Sequence, residues 1–171
     1  MTMERNNRGF TLIELVVVIT ILGILAVALG FSFAGWRGNY VAESQIKDLY
    51  SDLTEMRALA MTRNRVYFTV INKDNYQVYE DSNGDGQFGA GDAALWASLK
   101  RFESGYEIKN ITLGPPLTVR TNTRGLISPQ GDFRIENTST SVALDPDYDC
   151  IALTQSTIRM GKFDGIKCVE K

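Results

Sequence analysis

Arg8-Gly9-Phe10-Thr11-Leu12-Ile13-Glu14 is followed at residues 15–35 by LVVVITILGILAVALGFSFAG, a run of 21 residues without a charge. As a helix rising ~1.5 Å per residue, such a run matches the ~30 Å hydrocarbon core of a bilayer, and residues 15–35 are predicted to form a transmembrane helix. Arg5 and Arg8 lie on its amino-terminal side. The positive-inside bias keeps that end in the cytoplasm and places everything after Trp36 outside.

Glu14 is the anomaly of this stretch. A carboxylate near the start of an apolar helix disfavours insertion by up to ~3 kcal/mol when it sits deep, and such residues usually have a partner. No nearby residue of the uncut chain is expected to supply one. A cut between Gly9 and Phe10 would create an α-amino group, a compact cation able to neutralise Glu14 of a neighbouring subunit within lipid. Assembly, rather than folding, is then what Glu14 serves.

At these residues the chain resembles the type IV pilins and the type II secretion pseudopilins. Gly9-Phe10-Thr11-Leu12-Ile13-Glu14 looks like their cleavage and methylation motif, preceded by a basic leader and followed by a long apolar helix. The resemblance implies that a prepilin peptidase cuts after Gly9 and methylates the new amino-terminal Phe10. It also implies that Glu14 guides the subunit into a filament. Two plainer readings compete. One is an ordinary signal anchor; the other is a secretory signal peptide cut at Ala26-Val27-Ala28, releasing a soluble calcium-binding protein that starts at Leu29. Against the second, the apolar run continues past that site through Phe33, and Glu14 interrupts the signal core.

The 171 residues, 44% hydrophobic and 22% charged, allow one membrane helix and one globular domain. Histidine is absent from the sequence. That removes Ser-His-Asp and Cys-His nucleophilic sites and the commonest neutral general base, and the chain is read as a non-enzyme. Loss of residues 1–9 takes away Glu4, Arg5 and Arg8 and moves the formal charge from -2 to -3. A mildly acidic exterior argues against nonspecific affinity for nucleic acid.

Beyond the membrane run, Ala42, Ile46, Leu49, Leu53, Met56 and Ala60 recur at alternating spacings of four and three, the stripe of an amphipathic helix. Glu43, Lys47, Asp48, Asp52 and Glu55 are expected to face elsewhere. The division is therefore a leader at 1–9, a helix at 10–63 (transmembrane at 15–35, amphipathic at 39–63) and a β-rich domain at 64–171. Such a helix would be roughly 75 Å long. Gly30, Gly35 and Gly38 each weaken it by up to ~1 kcal/mol, so a bend or local melting is expected near 30–39.

Strands are predicted at 66–71 (VYFTVI) and 76–80 (YQVYE), a hairpin joined by Asn72-Lys73-Asp74-Asn75. More follow at 95–102, 106–111, 117–121, 133–136, 150–153, 158–161 and 165–169, punctuated by Gly and Pro. The fold class is α+β: a long N-terminal helix packed on a mainly antiparallel sheet. The helix end Glu55-Met56-Arg57-Ala58-Leu59-Ala60-Met61-Thr62-Arg63-Asn64-Arg65-Val66, with the strands after it, resembles the GspH/FimT-type domain of certain pseudopilins and minor pilins.

Three further features carry chemistry. In Asp81-Ser82-Asn83-Gly84-Asp85-Gly86-Gln87-Phe88-Gly89-Ala90-Gly91-Asp92, the side chains of Asp81, Asn83, Asp85 and Asp92 and the carbonyl of Gln87 stand at calcium-loop spacing. Two departures are Asp in place of a closing Glu and flanking strands in place of helices. The competing reading is a polar connection whose residues serve turn geometry alone. Cys150 and Cys168, both exported, can form a disulfide worth ~3 kcal/mol by chain entropy, or stay as two free thiols. Arg159, Lys162 and Lys167 are the candidate contacts for DNA, because some FimT-like minor pilins resemble DNA receptors. Here Asp164 and Glu170 interleave with the basic residues, and the Gly-Arg-x-Arg pattern is missing.

The reading is a structural minor pilin or pseudopilin, held in the inner membrane with a periplasmic domain until it joins a type IV pilus or a secretion pseudopilus. Its expected partners are the other subunits of the filament, prepilin peptidase, the inner-membrane assembly machinery and lipid. The DNA-binding minor pilin and the secreted calcium-binding protein stand as alternatives.

Overall fold

The computed structural model describes residues 10–139 and 143–171, and within the helix the side chains of 28–34 lie outside the described residues. The fold is α+β: among the described residues one helix, α1 (Leu12–Arg63), precedes eleven strands, and every strand pairing among them is antiparallel. The chain divides into two compact units between Arg37 and Gly38.

In the first unit every described side chain from Phe10 to Val27 is exposed. Among the described residues no helix is long and apolar enough to cross a membrane. The expected span at 15–35 includes 28–34, whose side chains lie outside the described residues. The helical backbone runs unbroken through Gly30, Gly35 and Gly38, so the expected local melting does not occur. Helical hydrogen bonding on both sides outweighs the modest propensity penalty of three separated glycines.

In the second unit the predicted stripe is the core of the helix. Ala42, Ile46, Leu49, Leu53, Met56 and Ala60 are all buried. They pack on two sheets. The first contains β1 (Tyr67–Ile71), β2 (Asn75–Glu80), β3 (Ala93–Ala94), β4 (Lys100–Arg101), β6 (Leu117–Thr121) and β7 (Ile127–Ser128) in the order β3-β2-β1-β6-β7, with β4 also on β2. The second runs β11-β10-β9-β8-β5, built from β5 (Tyr106–Asn110), β8 (Gly131–Asn137), β9 (Cys150–Leu153), β10 (Ile158–Phe163) and β11 (Cys168–Glu170). The period-two pattern of β6, with Leu117, Val119 and Thr121 inward, gives the alternation of a half-buried strand.

Two expectations are corrected, and one strand is added. Residues 95–102 are not one strand: β3 and β4 are two-residue pairings on either side of a turn. The adjacent Leu95 and Trp96 both pack against buried clusters, which side chains on successive strand positions cannot do from one face. The last strand starts at Cys168 instead of 165, because the Asp164 carboxylate accepts the N–H groups of Ile166 (2.8 Å) and Lys167 (2.9 Å) in a tight turn. Gly165 holds φ +102° in that turn, a backbone state that suits glycine. Finally, β7 carries no clear strand signal in the sequence and is held by Ile127, whose side chain is buried and whose N–H donates to the Gln155 carbonyl at 2.9 Å.

Candidate functional site

The first helical turn carries the candidate processing and assembly residues. Thr11 caps the helix: its hydroxyl accepts the N–H of Glu14 at 3.3 Å, and the Glu14 carboxylate reaches back to the N–H of Thr11 at 3.5 Å. This is the reciprocal arrangement of a capping box, with long bonds. Glu14 therefore has an intramolecular partner, contrary to expectation. The signal, a Thr three residues before a Glu at a helix start, was present in the sequence. A carboxylate in the first turn also meets the positive end of the helix dipole. Its second oxygen receives no hydrogen bond among the described residues. Phe10 is 83% exposed next to it, and Gly9 lies outside the described residues.

Behind this turn stands a large apolar surface. Leu12, Ile13, Ile19, Leu22, Ile24 and Val27 are each more than half exposed. Thr20, the polar residue in their midst, donates its hydroxyl to the Val16 carbonyl at 2.7 Å and so presents no unmet donor. An exposed apolar face of this size is stable only against lipid or other apolar helices.

The acidic loop is organised by its own backbone. Asp81 is buried and its two carboxylate oxygens accept the N–H groups of Gly84 (2.7 Å) and Gly86 (2.9 Å). Asp85 accepts from Gln87 N–H at 2.7 Å and from the Asn83 amide at 2.9 Å, and Asp92 accepts from Gly89 N–H at 2.7 Å. Among the described residues no three acidic, cysteine or histidine side chains come together around a metal-sized site. Both oxygens of Asp81 and of Asp85 thus serve the loop's own turns, whereas the second oxygen of Asp92 is buried without a hydrogen-bond partner among the described residues. The loop covers the outer face of the first sheet: the Phe88 ring lies 4.9 Å from that of Tyr79 and 5.9 Å from that of Phe68, and Arg120 donates to the Gly86 carbonyl at 3.0 Å.

A disulfide joins Cys150 to Cys168, fastening β9 to β11. Of the candidate DNA contacts, Arg159 is paired with Glu170 at 2.6 Å and Lys162 with Asp145 at 2.5 Å, while Lys167 is exposed. Two of the three positive charges are therefore already neutralised within the chain.

Sequence reasoning missed a clasp on the helix. Asn39 and Glu43 accept the backbone N–H groups of Asp145 (2.9 Å) and Asp147 (2.8 Å), and Leu144 packs so closely on Gly38 that a Cβ there would meet it at 2.6 Å. Tyr106 donates to the Gly38 carbonyl at 2.9 Å. Lys47 pairs with Glu43 and lies over the Tyr148 ring, and Lys171 pairs with Asp147. The hydrogen bond from Lys47 lowers the Glu43 pKa, and that from Lys171 lowers the Asp147 pKa. The bonds from Asp145 and Asp147 to the helix span more than 100 positions of sequence, and no local pattern encodes them.

Residues 5–30 match the family described as the prokaryotic N-terminal methylation motif. No curated protein and no solved structure gives a significant match.

Proposed function

We propose that this chain, which its N-terminal methylation motif makes type IV pilin-like, is a non-enzymatic structural subunit of a type IV pilus or a type II secretion pseudopilus. The carrying observation is the exposed apolar helix that starts immediately behind the capped turn of Phe10 and Glu14. Prepilin peptidase removes residues 1–9 and methylates Phe10. The helix holds the subunit in the inner membrane as a single span with the globular unit in the periplasm. It then leaves lipid for the apolar helices of neighbouring subunits, where the Phe10 amino group of one subunit and Glu14 of another set the axial register. The capping box supports this order of events, because its long bonds leave the carboxylate available to a stronger cationic partner.

The strand succession after α1 supports a GspH/FimT-like minor subunit, with the globular unit on the filament surface or at its tip. Partners are the other pilin-like subunits and the inner-membrane assembly machinery.

The test is Glu14→Ala in the native cell. The variant should be cleaved normally yet be recovered in sheared filaments at about tenfold lower yield or less, the effect of losing about 1.4 kcal/mol per subunit contact. Wild-type recovery would contradict the proposal.

A further inference from the structure

The threonines of α1 and its first turn use their hydroxyls in two ways. Thr20, Thr54 and Thr62 donate to the carbonyl four residues back, at 2.7, 2.8 and 2.9 Å, as threonines inside a helix do. Thr11 does the reverse. Its hydroxyl accepts the N–H of Glu14, three residues ahead, at 3.3 Å.

Two acceptors compete for that N–H. In a helix one residue longer it would bond to the carbonyl of Phe10, four residues back. Here the Thr11 hydroxyl takes it instead, and the first backbone bond of the helix runs from the Leu15 N–H to the Thr11 carbonyl at 3.2 Å. The helix accordingly begins at Leu12, and Phe10 stands outside it with its side chain 83% exposed. A formed helix gains one hydrogen bond with each residue added, so a start without a stop grows. Growth by one residue would make Phe10 the cap. Growth by two would commit the Gly9 carbonyl, the carbonyl of the bond that is cut, to the Ile13 N–H.

We infer that Thr11 is a positioning residue for the removal of residues 1–9: its hydroxyl stops α1 short of Phe10 and so keeps the Gly9–Phe10 bond out of the helix for the peptidase. The inference rests on the cleavage after Gly9 proposed above. Proteases cut exposed chain that is free of helical hydrogen bonds, at a rate that follows the population of the open form. The donor to Thr11 is the backbone of Glu14, so Glu14→Ala keeps this stop. Cleavage and assembly thus draw on different groups of the same turn: the Thr11 hydroxyl for the first, the Glu14 carboxylate for the second.

The test is the rate at which purified prepilin peptidase cuts the full chain in detergent micelles, with carbon-13 phenylalanine reporting on Phe10 by NMR. Thr11→Val keeps the shape of threonine and loses the hydroxyl; Thr11→Ser keeps the hydroxyl and loses the methyl group. Thr11→Val should lower kcat/KM about fivefold, the change that corresponds to a cap worth about 1 kcal/mol, and should move the Phe10 Cα shift toward the helical value. Thr11→Ser should match wild type in both. Wild-type cleavage of Thr11→Val, a Thr11→Ser variant as slow as Thr11→Val, or slow cleavage with an unmoved Phe10 shift would overturn the inference while leaving the cleavage itself in place. A wild-type chain that the peptidase leaves uncut would overturn the proposed processing, and the inference with it.

Discussion

The backbone N–H of Asp147 donates to the Glu43 carboxylate at 2.8 Å, tying the loop before β9 to the helix. Both carboxyl groups of this clasp titrate below their ordinary range, Glu43 because Lys47 donates to it and Asp147 because Lys171 does. A carboxylate whose folded pKa is depressed stabilises the fold above its unfolded pKa of ~4, and the contribution is lost as pH falls through the folded value. The clasp should therefore weaken in acid. In urea titrations Glu43→Gln should cost about 0.2–1 kcal/mol at neutral pH, the scale of a solvent-screened pair, and should flatten the fall in stability below pH ~4.

The disulfide closes a loop with a sequence separation of 18 between Cys150 and Cys168. Replacing both cysteines by serine should lower stability by about 3 kcal/mol and Tm by on the order of 10 °C. Calorimetry of the oxidised protein and the double variant provides the comparison, and exchange should rise first in the β10–β11 hairpin.

Asp81 holds its loop through two backbone N–H groups. Asp81→Ala removes two hydrogen bonds to a buried carboxylate and should cost about 1–3 kcal/mol. Because the loop is braced by its own backbone, a calcium chelator should leave the wild-type thermal midpoint where it is. A shift on adding chelator would restore the calcium reading.

Leu49 is fully buried at the centre of the helix stripe. Leu49→Ala should destabilise the globular unit by about 2–5 kcal/mol in denaturant titrations, whereas Glu55→Ala, on the exposed face, should change it by no more than about 0.5 kcal/mol.

These residues also mark what was legible in the sequence. The Ala42 to Ala60 stripe could be read because helix periodicity is local, and β1 and β6 because short runs rich in β-branched residues are local too. The Thr11–Glu14 box is equally local, a Thr three residues before a Glu at the helix start. The Lys100–Asp52 ion pair and the Glu43 clasp could not be read. Each depends on residues brought together from 48 to 106 positions apart, and Lys100 looks in sequence like any solvated charge. Tertiary packing also overrode strand propensity at 95–102, where Trp96 turns toward Tyr76 instead of continuing an alternation.

Everything said of assembly depends on where the mature chain begins. Intact-mass and amino-terminal peptide spectrometry of the protein from cells that possess the processing enzyme reads this directly. The account predicts a chain that starts at Phe10 and carries one added methyl group on its amino nitrogen. A chain that keeps residues 1–9, or one that starts at Leu29, would contradict it.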